Sequence, residues 1–295
     1  MSTNSARAHF GPAGTAASFT EMGYKGSLDV PEYLKKFGLD AFEYQCGRGV
    51  NIGLEKASEF GKKAAEYGIL LSIHAPYYIS LASAEEQKRE NSVKYILQSA
   101  AAAKAMGATR IVVHPGGLSG KTRQEATAIA SETLKKACAA LDENGLSDIR
   151  ICPETMGKIN QLGDLDEVLT FCSLDERFIP CIDFGHLNAR TLGGLKTTED
   201  FAEVFEKIEN RLGISRLKEY HAHFSKIEYT GGGEKQHLTF ADTLFGPDFE
   251  PVIELTLKKN CAPTIICESA GTQSEDAKTM MSYYNSLIYI INRLS

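Results

Sequence analysis

The sequence predicts an α/β protein, a single (β/α)8 barrel with a metal site at the C-terminal face of its strands. Eight strand-like runs alternate with helix-length amphipathic stretches along the chain. Most runs are continuously apolar, as is typical of parallel strands that are covered on both faces. The length of 295 residues suits one such barrel, which takes about 250 residues before insertions. We therefore expect residues 1–295 to form one TIM-barrel domain.

Each element follows from local patterns. The eight predicted strands are Ala8–Gly11, Ala41–Gln45, Leu70–Ala75, Arg110–His114, Arg150–Glu154, Ile179–Asp183, Tyr220–Phe224 and Thr264–Glu268. The clearest predicted helices are Leu54–Tyr67, Glu85–Met106, Arg123–Asn144, Thr198–Arg211 and Phe249–Lys259. Glycine closely follows several helical patterns, as at Gly107, which favours a helix end there. The segment Ser225–Asp248 is predicted to be an extended seventh βα loop.

Six of the predicted strands end in potential metal ligands. The strings are LLSIHAP, RIVVHPGG, IRICPETMG, IPCIDFGH, EYHAHFS and TIICESAG. The intervals 74 to 114, 114 to 154 and 183 to 223 are each 40 residues. Because the C-terminal ends of barrel strands open to one mouth, these side chains are expected to converge. Buried together, they would be costly to desolvate without cations, so the pattern predicts a site for several metal ions.

The ligand types indicate the metals and a division of roles. Imidazole and carboxylate groups together suit Zn²⁺, Mn²⁺ or Fe²⁺. Glu154 is the natural bridging carboxylate, and His186 follows Asp183 closely enough to share the pocket. His9 and His221 are interpreted as structural, with His221 one layer deeper than His223. The predicted metal ligands are His74, His114, Glu154, Asp183, His186, His223, His237 and Glu268.

Composition limits the classes of function. A net charge of −6 argues against a surface that attracts nucleic acid everywhere, but it does not exclude a local basic rim. The seven cysteines are scattered, and several lie in apolar runs, so we interpret them as reduced structural thiols and not as zinc ligands. No apolar run approaches the ~20 residues that span a bilayer. MSTNSARAHFGPAG has no signal-like apolar core, so we expect a cytoplasmic protein with no membrane and no obligate protein partner.

These motifs resemble the endonuclease IV family, the metal-dependent apurinic/apyrimidinic endonucleases, along essentially the whole chain. The matching strings are SIHAPYYISL, VVHPGG, PETMG, CIDFGHLNA, HFSK and QHLTF. The resemblance implies a zinc-dependent phosphodiesterase that cuts double-stranded DNA 5′ to abasic or damaged sites. It implies one zinc on His74, His114 and Glu154, and a second on Glu154, Asp183, His223 and Glu268. It assigns His186 and His237 to a third, with Glu154 and Glu268 as the catalytic residues.

The resemblance is weaker at three places. The family has Asp-x-His where this chain has Lys235-Gln236-His237, and a protonated lysine cannot ligate a metal. The third ion therefore loses a ligand unless the neighbouring Glu234 replaces it. The family commonly has a proline in the last motif, which here reads ESAG. For DNA contact, Tyr77 matches an aromatic position against the substrate strand, and Arg48 matches the wedge residue only loosely.

Two other interpretations stay open. A xylose isomerase-like sugar isomerase or epimerase would use one Mn²⁺ or Mg²⁺ on Glu154, Asp183, His223 and Glu268. That interpretation leaves the other histidines without a common purpose. A non-catalytic barrel that stores metal, or holds DNA or a sugar phosphate, is the third interpretation. Lys121, Arg123, Lys158, Arg190, Lys226 and Lys235 lie in the predicted top-face loops and are candidates to meet phosphates.

Overall fold

The computed structural model describes residues 7–294. In chain order the strands are β1 (His9–Pro12), β2 (Ala41–Gln45), β3 (Leu70–His74), β4 (Arg110–Val113), β5 (Arg150–Pro153), β6 (Cys181–Asp183), β7 (His221–Phe224), β8 (Ile227–Thr230), β9 (Gly233–His237) and β10 (Thr264–Cys267). The helices are α1 (Ala17–Glu21), α2 (Val30–Phe37), α3 (Leu54–Glu66), α4 (Glu86–Met106), α5 (Arg123–Glu143), α6 (Leu165–Cys172), α7 (Phe184–Arg190), α8 (Thr198–Leu212), α9 (Ile214–Lys218), α10 (Glu250–Lys258) and α11 (Gln273–Leu294).

The predicted barrel is confirmed. Two parallel arcs, β1-β10-β7-β6 and β2-β3-β4-β5, are joined by single parallel bridges between Ala13 and Glu43 and between Glu154 and Cys181. A side chain on Gly11 would place a Cβ 1.7 Å from the carbonyl oxygen of Ala41, so β1 and β2 approach closely only because this residue is glycine. The helices cover the barrel, and large buried residues such as Phe60, Phe171 and Phe205 fill the layer between.

The predicted strand and helix bounds agree with the structure to within about two residues. Gly107 ends α4 in the left-handed conformation, with φ of 72°, and a capping box between Thr122 and Glu125 begins α5. Among the described residues, no helix is both long and apolar enough to cross a membrane. Residues 1–6 and Ser295 lie outside the described range. Residues 1–6 belong to the N-terminal segment in which no export signal was expected. The extent of the single domain therefore stays a prediction.

The long seventh loop contains an antiparallel hairpin of β8 and β9 that the sequence analysis did not predict. Its register shifts so that Tyr229 pairs with Glu234 and Glu228 with Gln236, which leaves Lys235 as the extra residue of a β-bulge. The hairpin is anchored on the loop after β5, since Glu234 N donates to Gly157 O at 3.1 Å. The bulge therefore sets which side chains of β9 face the barrel mouth.

Candidate metal centre

A first group joins the ends of β3, β4 and β5. The Nε2 atoms of His74 and His114 lie 3.3 and 2.9 Å from Glu154 Oε2. Nδ1 of His74 is turned away, 2.9 Å from the carbonyl oxygen of Ala75. This backbone contact orients the His74 ring so that Nε2 faces the mouth, as a metal ligand requires.

A second group shares Glu154. Nδ1 of His223 lies 3.1 Å from Glu154 Oε1 and 3.6 Å from Glu268 Oε2. Asp183 caps α7 through Oδ1, which accepts the backbone N–H of His186 at 2.7 Å. Oδ2 of Asp183 is buried without a hydrogen-bond partner. His186 Nδ1 is 3.3 Å from that oxygen but lies closer, at 2.9 Å, to the carbonyl of Thr155. An orphaned buried carboxylate oxygen fits a cation ligand.

A third group contains Glu234, and Lys235 takes no part in it. Glu234 Oε2 lies 3.5 Å from His186 Nε2, and Glu234 Oε1 lies 4.0 Å from His237 Nε2. Residues three apart normally face opposite sides of a strand, but the bulge at Lys235 turns Glu234 and His237 to the same side. Lys235 points outward and pairs with Glu228 at 2.6 Å. Of the two alternatives that the sequence left open, the geometry agrees with the one in which Glu234, and not Lys235, joins the two histidines.

Potential ligand atoms lie within 4.8 Å of one another in each of these three groups. The groups are His74, His114 and Glu154; Glu154, Asp183, His223 and Glu268; and His186, Glu234 and His237. The eight residues predicted as ligands thus converge in one mouth, together with Glu234. These groups could hold metal ions, and nothing in their donor atoms chooses among Zn²⁺, Mn²⁺ and Fe²⁺.

The electrostatics of the buried groups are tightly balanced. Burial tends to raise the pKa of Glu154, but the charges of His114 and His223 outweigh it and hold that pKa well below its usual value. Burial raises the pKa of Asp183 in spite of the charge of His186. For His223, burial favours the neutral form, yet surrounding acidic groups raise its pKa well above the usual value. The carboxylates and imidazoles of the mouth thus stabilise one another's charged forms, and bound cations could stabilise the carboxylates in place of protonated histidines.

Glu43 is a buried acid that the sequence analysis missed. It lies on β2 with none of its surface exposed, and its Oε2 is 3.0 Å from Nε2 of His221. His221 is therefore one layer below the mouth, as predicted. The available signal was a lone charge inside the apolar strand AFEYQ. Cys181 lies beside His221 and His223 in a further group of possible donors, so the prediction that no thiol binds metal stays a prediction.

The mouth opens into a cavity of about 780 Å³ that both predicted DNA-contact residues line. Tyr77 is 56% exposed and its ring centroid lies 5.3 Å from those of His74 and His114. Arg48 is exposed at the rim of the same cavity. Burial raises the pKa of Tyr77 to about 12, so its hydroxyl stays protonated at neutral pH.

Most of the basic residues considered for phosphate contact have other partners. Arg123 binds Glu167 at 2.7 Å, and Arg190 donates to the carbonyl of Lys158 at 2.8 Å, so both brace the loop after β5. Lys226 donates to the carbonyl of Asp242. Of the six candidates, only Lys158 lines the cavity. The expected basic rim is thus reduced to Arg48 and Lys158 at the cavity itself.

Comparisons with known proteins agree with this architecture. Residues 31–286 match the xylose isomerase-like TIM barrel family. An uncharacterized protein of Methanocaldococcus jannaschii is 35% identical over 280 residues, which cover 94% of this chain and 97% of that protein. A probable endonuclease 4 of Staphylococcus carnosus is 31% identical over 172 residues, or 55% of each chain. The sequence resemblance to endonuclease IV is thereby confirmed.

Two solved structures share the fold over nearly the whole chain. Endonuclease IV from Thermus thermophilus superposes with a TM-score of 0.67 and 19% identity, covering 94% of this chain and 99% of that one. A D-tagatose 3-epimerase-like protein superposes with a TM-score of 0.69 and 21% identity, covering 97% and 100%. At these identities the superpositions show the barrel fold, which nucleases and epimerases have in common.

Proposed function

The chain belongs to the xylose isomerase-like TIM barrel family, and from that premise we propose that it is a zinc-dependent phosphodiesterase that cuts DNA 5′ to abasic sites. The observation that carries the proposal is the meeting of three histidine–carboxylate groups in one mouth. A phosphodiester displacement uses several metal ions to serve the attacking and leaving oxygens. A single-metal reaction would need only one of these groups.

Glu154 is the residue on which the proposal depends most. Its Oε2 faces the first group and its Oε1 faces His223 of the second, so this one carboxylate serves both. Divalent ions in these groups would activate water and offset the charge of a phosphate. We propose that Glu268, whose side chain is partly exposed at the edge of the second group, orients the attacking water. We propose Zn²⁺ as the natural metal, with Mn²⁺ or Fe²⁺ as substitutes that the same donors accept.

Substrate recognition is proposed to involve the cavity rim. The exposed ring of Tyr77 offers a flat face beside the histidines, and Arg48 and Lys158 offer positive charge to a backbone phosphate. An abasic nucleotide leaves the duplex stack at low cost because no base has to be unstacked. Double-stranded DNA that contains such a site is therefore the proposed partner.

The decisive test is incision of an abasic duplex. We expect the zinc-loaded chain to cut the abasic strand on the 5′ side and to leave a matched intact duplex uncut. Glu154→Gln should lower the rate at least about 100-fold, because loss of a shared carboxylate affects both groups. Glu143→Gln, at an exposed site on α5, is the matched control and should cut normally. A zinc-loaded wild-type chain that incises no abasic duplex would refute the proposal.

A sugar 3-epimerase is the second candidate, because Glu154, Asp183, His223 and Glu268 form a complete four-residue group by themselves. In that case paired carboxylates would exchange a proton on a ketose carbon with solvent. His114→Gln separates the candidates, since His114 lies in the first group only. It should abolish DNA incision, whereas an epimerase would still incorporate solvent deuterium into a ketose.

A further inference from the structure

Glu43 has several polar neighbours below the metal centre. Ser72 Oγ donates to its Oε2 at 2.9 Å, and His221 Nε2 lies 3.0 Å from the same oxygen. The other oxygen, Oε1, lies 3.0 Å from Nε2 of His223. Glu43, His221 and His223 are all fully buried. Burying a carboxylate costs desolvation free energy unless hydrogen-bond donors surround it, so a role for Glu43 in the site above it would explain this arrangement.

The two ring nitrogens of His223 face different surroundings. Nδ1 points to the second group, 3.1 Å from Glu154 Oε1, whereas Nε2 points down to Glu43. A neutral imidazole carries one hydrogen, and only the other nitrogen can bind a metal. Whichever group accepts the hydrogen therefore decides which nitrogen is the ligand.

We propose that Glu43 is a positioning residue that accepts the Nε2 hydrogen of His223 and thereby presents Nδ1 to the metal centre. The inference rests on the proposed metal site. Glu43 also has an oxygen within 4.8 Å of possible donor atoms of His74, His223 and Glu268. In the proposed arrangement it is a partner of the His223 ligand and not a ligand itself. Carboxylates that hold the far nitrogen of a ligating histidine fix its tautomer and ring orientation, and their loss typically weakens metal binding 10–100-fold. Ser72 and His221 in turn fix Glu43.

A buried thiol is the competing partner. Cys181 lies within 4.8 Å of donor atoms of His221 and His223, and Nε2 of His223 has no hydrogen bond of good angle in the structure. The 3.0 Å contact between His223 Nε2 and Glu43 Oε1 therefore becomes a hydrogen bond only after a small rotation of one of the two side chains. A thiol is a weak hydrogen-bond acceptor, so the carboxylate of Glu43 is the better acceptor for the Nε2 hydrogen of His223.

The test compares zinc affinity in four proteins by competition with a chelator. Glu43→Gln should bind zinc about 10–100-fold more weakly than wild type, since the Gln amide can donate to Nε2 and favour the wrong tautomer. Cys181→Ser should bind like wild type. Asp40→Asn, which removes a largely buried carboxylate at the opposite end of the barrel, should lose stability but keep its zinc affinity. If Glu43→Gln does not fold, Glu43→Asp replaces it, because it keeps the charge but withdraws the carboxylate from His223.

A spectroscopic readout separates positioning from a general structural role. In zinc-loaded protein with ¹⁵N-labelled histidine, His223 should show hydrogen on Nε2 and metal on Nδ1, and the Glu43 variant should lose that pattern. Wild-type affinity and an unchanged pattern in a folded Glu43 variant would overturn the inference. So would a loss of zinc affinity in Cys181→Ser with no loss in Glu43→Gln, which would make the thiol the partner of His223 Nε2. A wild-type chain that binds no zinc would refute the proposed function instead.

Discussion

Gly157, the last residue of the string IRICPETMG, allows the third group to close. A Cβ at this position would lie 2.6 Å from Cβ of Glu234 and 3.0 Å from Cδ2 of His186. The carbonyl of Gly157 also accepts the backbone N–H of Glu234. The loop after β5 and the β8-β9 hairpin therefore meet at a residue without a side chain, which brings Glu234 to His186.

Gly157→Ala should push Glu234 away from His186 and weaken the third group alone. We expect the variant to lose one metal ion per chain after dialysis, as measured by elemental mass spectrometry, at a stability cost of about 1–3 kcal/mol from overpacking. Gly117→Ala is the matched control, since a Cβ there has nothing within 4 Å. Equal metal content in both variants would show that Glu234 does not contribute to binding.

The site residues that could be predicted from the sequence are those whose position depends only on where a strand ends. His74, His114 and Asp183 lie at or just past the ends of apolar strands, and a barrel brings such ends together. Glu234 was not securely predictable, because Glu-x-x-His places its members on one face only if a bulge intervenes. That bulge depends on the pairing with β8. Glu43 was hidden because its partners His221 and His223 lie on a strand far away in the chain.

Among the elements, the seam between β1 and β2 depends on a side chain as well as on the backbone bridge. Asp40 Oδ1 accepts the backbone N–H of Phe10 at 3.0 Å, and Oδ2 lies 2.8 Å from Nδ1 of His9. Burial tends to raise the pKa of Asp40. The hydrogen bonds from His9 and the Phe10 N–H, together with the charges of His9 and Arg7, outweigh burial and lower that pKa. The ionised form of Asp40 therefore stabilises the closed barrel.

Asp40→Asn should lower the free energy of unfolding by about 1.5–3 kcal/mol at pH 7, the range for hydrogen bonds to charged groups. Because the folded-state pKa is the lower one, this contribution is complete above the unfolded-state pKa of about 3.9 and is lost as the pH falls through the folded value. Urea unfolding between pH 5 and pH 3 should show a difference between wild type and variant that narrows only below about pH 4. Asp148→Asn, at a side chain that is 62% exposed, should change stability by less than about 1 kcal/mol. If the difference in unfolding free energy between wild type and Asp40→Asn stayed constant down to about pH 3, the ionised form of Asp40 would not be the source of the stabilisation.

The eight barrel strands could be predicted because each is a short apolar run between helical patterns. The β8-β9 hairpin could not, since its strands are polar, half-exposed and separated by Gly231 and Gly232. Its stability comes from contacts with the loop after β5, such as Ile159 N with Gly232 O at 3.1 Å. A pairing that depends on tertiary partners leaves no periodic signal in its own residues.

Across the whole molecule, the seven cysteines report on the integrity of the core. All are free and buried. Burial raises the pKa of Cys46, Cys138 and Cys261 to about 11 and that of Cys152 and Cys267 to about 12. The thiolate is the reactive form, so both access and ionisation protect these side chains in the folded state.

The folded protein should therefore resist alkylation by iodoacetamide at pH 8, with an unchanged mass after a time that fully labels a free thiol. Ser147→Cys places a thiol at an exposed position and should take up one label rapidly. As urea crosses the unfolding transition, all seven native thiols should become reactive together, because they lie in one barrel core that opens cooperatively. Labelling of any native cysteine well below the transition would instead identify a part of the barrel that opens independently. Peptide mapping of the labelled residue would then locate that part.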